Sequence, residues 1–200
     1  MNSGLEFAEL WDRCIGFLND RKFISVATSY RDQVRSRVVD YVNDGLQIVF
    51  LTWDNTIKIE HMKNNPRVSL CVDALQVEGT AAISGHPGLA ENAALMELYK
   101  QRHPRPYKNF TSQANTLLIK TEPTLVMLMK YEDGHLYLDH LDIFRQQAFR
   151  KILSPWDRGD RDVGSKTTYL NPLFVYSFSI IFRITRGLLY DGLYSFLFLG

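Results

Sequence analysis

Arg35, Arg37, Thr52, Thr56 and Lys58 are the side chains of this sequence whose types and spacing best suit the capture of an anion. The run Arg35-Ser36-Arg37-Val38-Val39-Asp40-Tyr41 is followed by an Asn43-Asp44-Gly45 turn, by Leu46 to Thr52, and six residues further by Lys58. An arginine offers a planar fork of donors, a lysine a mobile point charge and a threonine a neutral hydroxyl. Together they suit a phosphate, and so suggest a phosphorylated cofactor. Thr56 stands where it can cap a helix starting just after it, whose first amides favour the same dianion.

Strands must bring these groups together. Alternation puts Arg35, Arg37, Val39 and Tyr41 on one face of their strand and Ser36, Val38 and Asp40 on the other. Two apolar-alternating runs around Asp-Gly predict a β-hairpin with Arg37 on one strand and Thr52 closing the other. A solvated barrel face, whose arginines merely cover cross-strand neighbours, is the better account of Arg35 and Arg37 on residue type alone.

Ser3-Gly4-Leu5-Glu6 fits a capping box ahead of a helix marked by Phe7, Leu10, Trp11, Cys14, Ile15 and Leu18. Strands are expected at Phe23 to Thr28, Val34 to Val42 and Leu46 to Thr52, then a short helix from Thr56 to Asn64 that stops before Pro66. Further strands follow at Val68 to Val72 and Val77 to Ser84, with Gly79 as a bulge. A helix from Glu91 to Arg102 is ended by His103-Pro104-Arg105-Pro106, and a loop follows. Leu117 to Thr121 and Thr124 to Tyr131 read as two strands split by Glu122-Pro123, with a short strand His135 to Leu138 after the Asp133-Gly134 turn. Seven or eight short strands without regular strand-helix alternation predict a mainly β fold, an antiparallel barrel with peripheral helices.

From about Phe23 to Lys151 the chain resembles the pyridoxamine 5'-phosphate oxidase-like superfamily of FMN-binding split barrels. The resemblance rests on Ser36-Arg37-Val38-Val39, Leu51-Thr52, Lys58 and Asn64-Asn65-Pro66-Arg67-Val68-Ser69-Leu70, with Val77-Glu78-Gly79-Thr80, Gly85-His86-Pro87 and Tyr131-Glu132-Asp133-Gly134 pointing to an uncharacterised bacterial subgroup. It implies an antiparallel split β-barrel, a homodimer with flavin between subunits, and FMN as cofactor. Contacts to the flavin phosphate or ribityl chain would fall to Arg37, Thr52 and Lys58, flanked by Arg35, Val38, Val39, Leu51 and Thr56. The tryptophan and arginine with which true pyridoxamine phosphate oxidases close over their substrate have no counterpart, and Ala74 and Leu75 stand where such oxidases offer a glutamine. The superfamily's name is therefore not the reaction. The expected activity is that of a small flavin-dependent oxidoreductase of unassigned substrate, electron donor and acceptor. The alternatives are a split barrel binding a deazaflavin or haem, and a non-enzymatic flavin-binding or stress-related module.

FMN carries the electron chemistry itself, so no catalytic residue is nominated. Asp40, Tyr41 and Glu78 can move protons but are more often structural strand residues. His61, His86, His103, His135 and His140 place no pair on one helical face, and no metal site is expected. A net charge of +1 argues against nucleic acid. Cys14 and Cys71 read as buried free thiols of a reducing compartment, and Met1-Asn2-Ser3-Gly4 lacks a basic segment before an apolar run, so a cytoplasmic location is expected. The barrel is assigned to residues 1–153, a charged linker to 154–166 and an apolar, aromatic-rich tail to 167–200. Within the tail, Thr167 to Phe182 is shorter than the roughly 20 apolar residues of a spanning helix, which leaves packing on the barrel or a partner, or interfacial membrane contact, as its roles.

Overall fold

The computed structural model describes residues 5–155, so Ser3, most of the expected linker and the whole expected tail lie outside the described residues. Helix α1 (Phe7–Asn19) buries Leu10, Cys14 and Leu18, one turn apart along a single stripe. Its N-cap is Glu6, with no side-chain capping bond, while Ser3 and Gly4 of the expected capping box lie outside the described residues. Its C-terminal carbonyls are instead held from afar. Arg102 donates to Leu18 O and Asn19 O at 2.8 Å each, and also to Arg21 O, a cation placed where the helix dipole favours one.

Nine strands among the described residues form one antiparallel sheet: β1 (Phe23–Tyr30), β2 (Gln33–Asp40), β3 (Val42–Asp44), β4 (Gln47–Trp53), β5 (Arg67–Val72), β6 (Leu75–Ile83), β7 (Thr116–Glu132), β8 (His135–Asp142) and β9 (Gln147–Pro155). The order along the sheet is β2-β1-β5-β6-β7-β4-β3, with β8 on β7 and β9 on β8. β2 and β3 are thus opposite ends of the path, and the sheet curls without closing. This is the expected mainly β split barrel, open at one seam.

The expected hairpin is not the one that forms. The Gly45 turn (φ +58°) joins β3 to β4, pairing Asp44 with Gln47 and Val42 with Val49. β2 pairs with β1 instead, across Arg31 and Asp32, both in the left-handed region, as a two-residue hairpin requires. Between β2 and β3 the chain breaks at Tyr41. That ring is fully buried; its hydroxyl donates to Leu18 O at 2.7 Å, and its carbonyl meets His103 Nε2 at 2.8 Å. Tertiary bonds at one residue divide what looks like a single strand from Val34 to Val42.

β7 is a second correction: 17 residues run unbroken where two strands were expected. Pro123 is tolerated because it sits at a bulge, where the β6 register shifts between Glu78 and Gly79. A Cβ on Gly79 would overlap Glu122 O and lie 3.0 Å from Glu122 C, so only glycine admits this approach. Before the bend β7 pairs with β4, and after it with β8.

Among the described residues three short α-helices and a 3-10 turn at Ala90–Asn92 complete the fold. α2 (Ile57–Asn64) follows β4 as expected. α3 (Ala93–Arg102) is followed by α4 (Pro104–Thr111) rather than a loop, since a proline in the first turn has no amide to lose and starts a helix as readily as it ends one. The core divides about β4: Ile48 and Phe50 join the barrel interior with Val26, Ile59 and Leu70, while Val49 and Leu51 pack outward with Tyr99, Met96 and Leu118. Cys14 is buried, but Cys71 is exposed, because it occupies an outward position of β5. No helix among the described residues is long and apolar enough to cross a membrane.

Candidate functional site

The inward face of β1 is Ile24, Val26 and Thr28, all buried. Its partners in register on β2 are Val39, Arg37 and Arg35, which therefore share that face. Arg37 is half-buried; its Nη1 donates to Thr28 Oγ1 at 2.7 Å and to Val26 O at 3.4 Å. β2 approaches β4 across the open seam without pairing to it. There, Lys58 Nζ donates to Thr52 Oγ1 at 2.8 Å.

Thr52 is buried on the inward face of β4, and its hydroxyl lies 3.4 Å from that of Thr56. Thr56 spends its own proton on Trp53 O at 2.9 Å, so Thr52 donates to Thr56 in turn. Although Thr56 stands at the N-cap of α2, its side chain makes no capping bond, and the first amides of the helix keep their affinity for an anion.

Two residues absent from the sequence-based set complete the arrangement. Thr28 Oγ1 lies 3.1 Å from His61 Nδ1, and both side chains are buried. His61 is on α2, one turn beyond Lys58. A continuous line of polar contacts therefore runs from Arg37 through Thr28 to the helix that carries Lys58. A threonine ending the inward series Ile24, Val26, Thr28 was the signal for the first, and an imidazole three residues after Lys58 for the second.

The electrostatics are those of an uncompensated cation pair. Burial pushes the Lys58 ammonium down to about 8, helped by the charge of Arg37. Burial lowers the Arg37 guanidinium too, with Arg35 adding to it. No carboxylate among the described residues pairs with Arg35, Arg37 or Lys58, and Arg37 Nε and Nη2 have no hydrogen-bond partner among them. Two cations held together against desolvation and mutual repulsion are matched to a dianion, so the donor set fits the phosphate of FMN.

The other expected contacts are placed differently. Arg35 is exposed on the same face as Arg37. Val39 packs against the barrel core, Val38 is 63% exposed on the outer face, and the Leu51 side chain is buried on the opposite side of β4 from Thr52. Asp40 is raised by burial, with His103 opposing, and sits beside the Tyr41 break rather than in this cluster. 

A family profile described as pyridoxamine 5'-phosphate oxidase matches residues 10–130. No curated protein matches the chain. Among solved structures, ChuZ of Campylobacter jejuni aligns at a TM-score of 0.55 with 12% identity over 67% of this chain and 60% of its own. A pyridoxamine 5'-phosphate oxidase-related, FMN binding protein from Nostoc punctiforme aligns at 0.49 with 14% identity over 72% and 97%. HutZ, the heme storage protein from Vibrio cholerae, aligns at 0.49 with 13% identity over 56% and 88%. With more than half its length matched by that profile, the chain belongs to the pyridoxamine 5'-phosphate oxidase-like family of split barrels.

Proposed function

We propose that this protein binds FMN, gripping the phosphate with Arg37 and Lys58, and acts as a small flavin-dependent oxidoreductase. The observation that carries the reading is the pair of half-buried cations with no carboxylate partner among the described residues. Family membership supports it. Arg37 offers its free guanidinium edge, Lys58 its remaining ammonium protons and the α2 amides their dipole, while Thr52 holds Lys58 in place. Arg35 adds long-range attraction from the same face. Bound FMN supplies the one- and two-electron chemistry.

The working unit in this reading is a homodimer. Val34 and Val38 stand 73% and 63% exposed on the outer face of the end strand β2, an apolar surface for a second copy to cover. Sedimentation of the purified chain with FMN is expected to give twice the monomer mass.

Fluorescence titration of the full chain with FMN and with riboflavin, which differ only in the phosphate, tests the cofactor assignment. FMN is expected to bind at least a hundredfold more tightly, two charge-assisted contacts contributing about 1.5–3 kcal/mol each. Equal affinities, or no quenching by either, would falsify the assignment. A deazaflavin bearing a phosphate, titrated in parallel, decides which ring the pocket prefers.

A further inference from the structure

We propose that His61 is a positioning residue for the anion site, fixing through the Thr28 hydroxyl the direction in which Arg37 presents its free edge; this rests on the phosphate reading above. Thr28 Oγ1 has one proton and two lone pairs. Arg37 can only donate, and its Nη1 occupies one lone pair at 2.7 Å. The hydroxyl is buried, so its proton needs an acceptor, and His61 Nδ1 at 3.1 Å is the one within reach among the described residues. Thr28 therefore donates to Nδ1, and the ring proton sits on Nε2.

The consequence is directional. With its proton committed to His61, Thr28 keeps its lone pairs toward β2, and the Arg37 guanidinium is tied at Nη1 to Thr28 and Val26 O. Nε and Nη2, without partners among the described residues, are left on the opposite edge of the same rigid plane, the edge that forks onto a phosphate. The imidazole is itself held: it is 3% exposed, and Tyr30 packs against it edge-on with centroids 6.3 Å apart. His61 and Lys58 share α2, so the same contact ties the helix that carries Lys58 to Arg37 through Thr28.

An arginine left to find its rotamer on binding costs about three- to tenfold in affinity. Titrations of the full-length His61→Leu and Thr28→Val variants are therefore expected to show FMN weakened by that factor and riboflavin unchanged. The double variant is expected to lose no more than either single one, because both break one chain of contacts. His61→Asn, which restores a side-chain acceptor near the Nδ1 position, is expected to recover most of the loss. Thr28→Val is close to isosteric, so it reads the same contact if His61→Leu fails to fold. The proposal is overturned if FMN and riboflavin weaken together, if the two losses add, or if His61→Asn is no better than His61→Leu. A wild-type protein that prefers FMN while His61→Leu is silent overturns this inference alone; a wild-type protein blind to the phosphate overturns the cofactor reading with it.

Discussion

Two arginine clusters lie in this barrel, and they differ in one respect: whether the chain supplies its own anions. In the first, Asp139 on β8 is fully buried and takes two bonds from its cross-strand neighbour Arg150, at 2.6 and 2.9 Å, and another from Arg13 on α1. Arg150 also meets Glu132 at 3.3 Å and lies 4.6 Å from the Tyr137 ring. With Lys130, which meets Glu132 at 2.9 Å, three cations share two carboxylates, and the result pins α1 to the β8-β9 ribbon. At the seam, Arg37 and Lys58 have hydroxyls and a carbonyl but no carboxylate among the described residues. A cluster that holds its own carboxylates contributes to the fold; one without them costs stability until a ligand arrives, and that cost is the mark of a binding site.

The sharpest way to break the comparison is to empty both clusters. Arg37→Ala with Lys58→Ala is expected to weaken FMN by a hundredfold or more, equivalent to about 3 kcal/mol or above, with the melting temperature of the free protein unchanged or raised; a marked fall in melting temperature would show that these cations are structural. Asp139→Ala is expected to do the reverse. It takes the buried acceptor from Arg13 and leaves Arg150 only Glu132, and denaturant unfolding should show a loss of roughly 3 kcal/mol, while the folded fraction keeps its FMN affinity.

Acid and base separate the clusters again. Burial works to raise Asp139, but the hydrogen bonds and charges of Arg150 and Arg13 prevail and hold it below the ordinary carboxylate value. Its stabilisation is therefore present above about pH 4 and is lost as the pH falls through its lowered value, which acid unfolding of the wild type against Asp139→Asn will measure. Lys58 acts on the alkaline side. Lowered to about 8 in the free protein by burial and the charge of Arg37, it is expected to make FMN binding strongest between about pH 6, where the phosphate completes its second ionisation, and pH 8, and weaker by up to about tenfold per pH unit above that. Riboflavin affinity should stay flat over that range. The smallest effect is expected from Thr52→Val, which removes a neutral hydroxyl from Lys58 at about 0.5–1.5 kcal/mol, or some three- to tenfold in FMN affinity.

Much of this was legible locally. The stripe of α1, the existence of β1, the stop of α2 before Pro66 and the bulge at Gly79 follow from spacing and backbone chemistry, and so does the sharing of one face by Arg35 and Arg37. Prolines misled in two places, because Pro104 and Pro123 state only which amide is missing; whether that absence falls at a helix start or a bulge depends on neighbours far away in sequence. β9 was not anticipated, and its cross-strand Arg150 to Asp139 pair has no local signature. Thr28 and His61 were overlooked for the same reason: a buried hydroxyl and an imidazole 33 residues apart announce nothing until their elements meet.

By itself, then, the amino-acid order determined which side chains could hold a phosphate and on which face of its strand each would stand, since both follow from residue chemistry and a two-residue repeat. Only the tertiary structure decided how they meet. Arg37 and Thr52 do not face each other across a hairpin; they come from strands well separated along the sheet path, brought together by the break at Tyr41 and the curl of the sheet. Register within a strand is short-range geometry, whereas the meeting of β2 and β4 across an open seam is a property of the whole curved sheet.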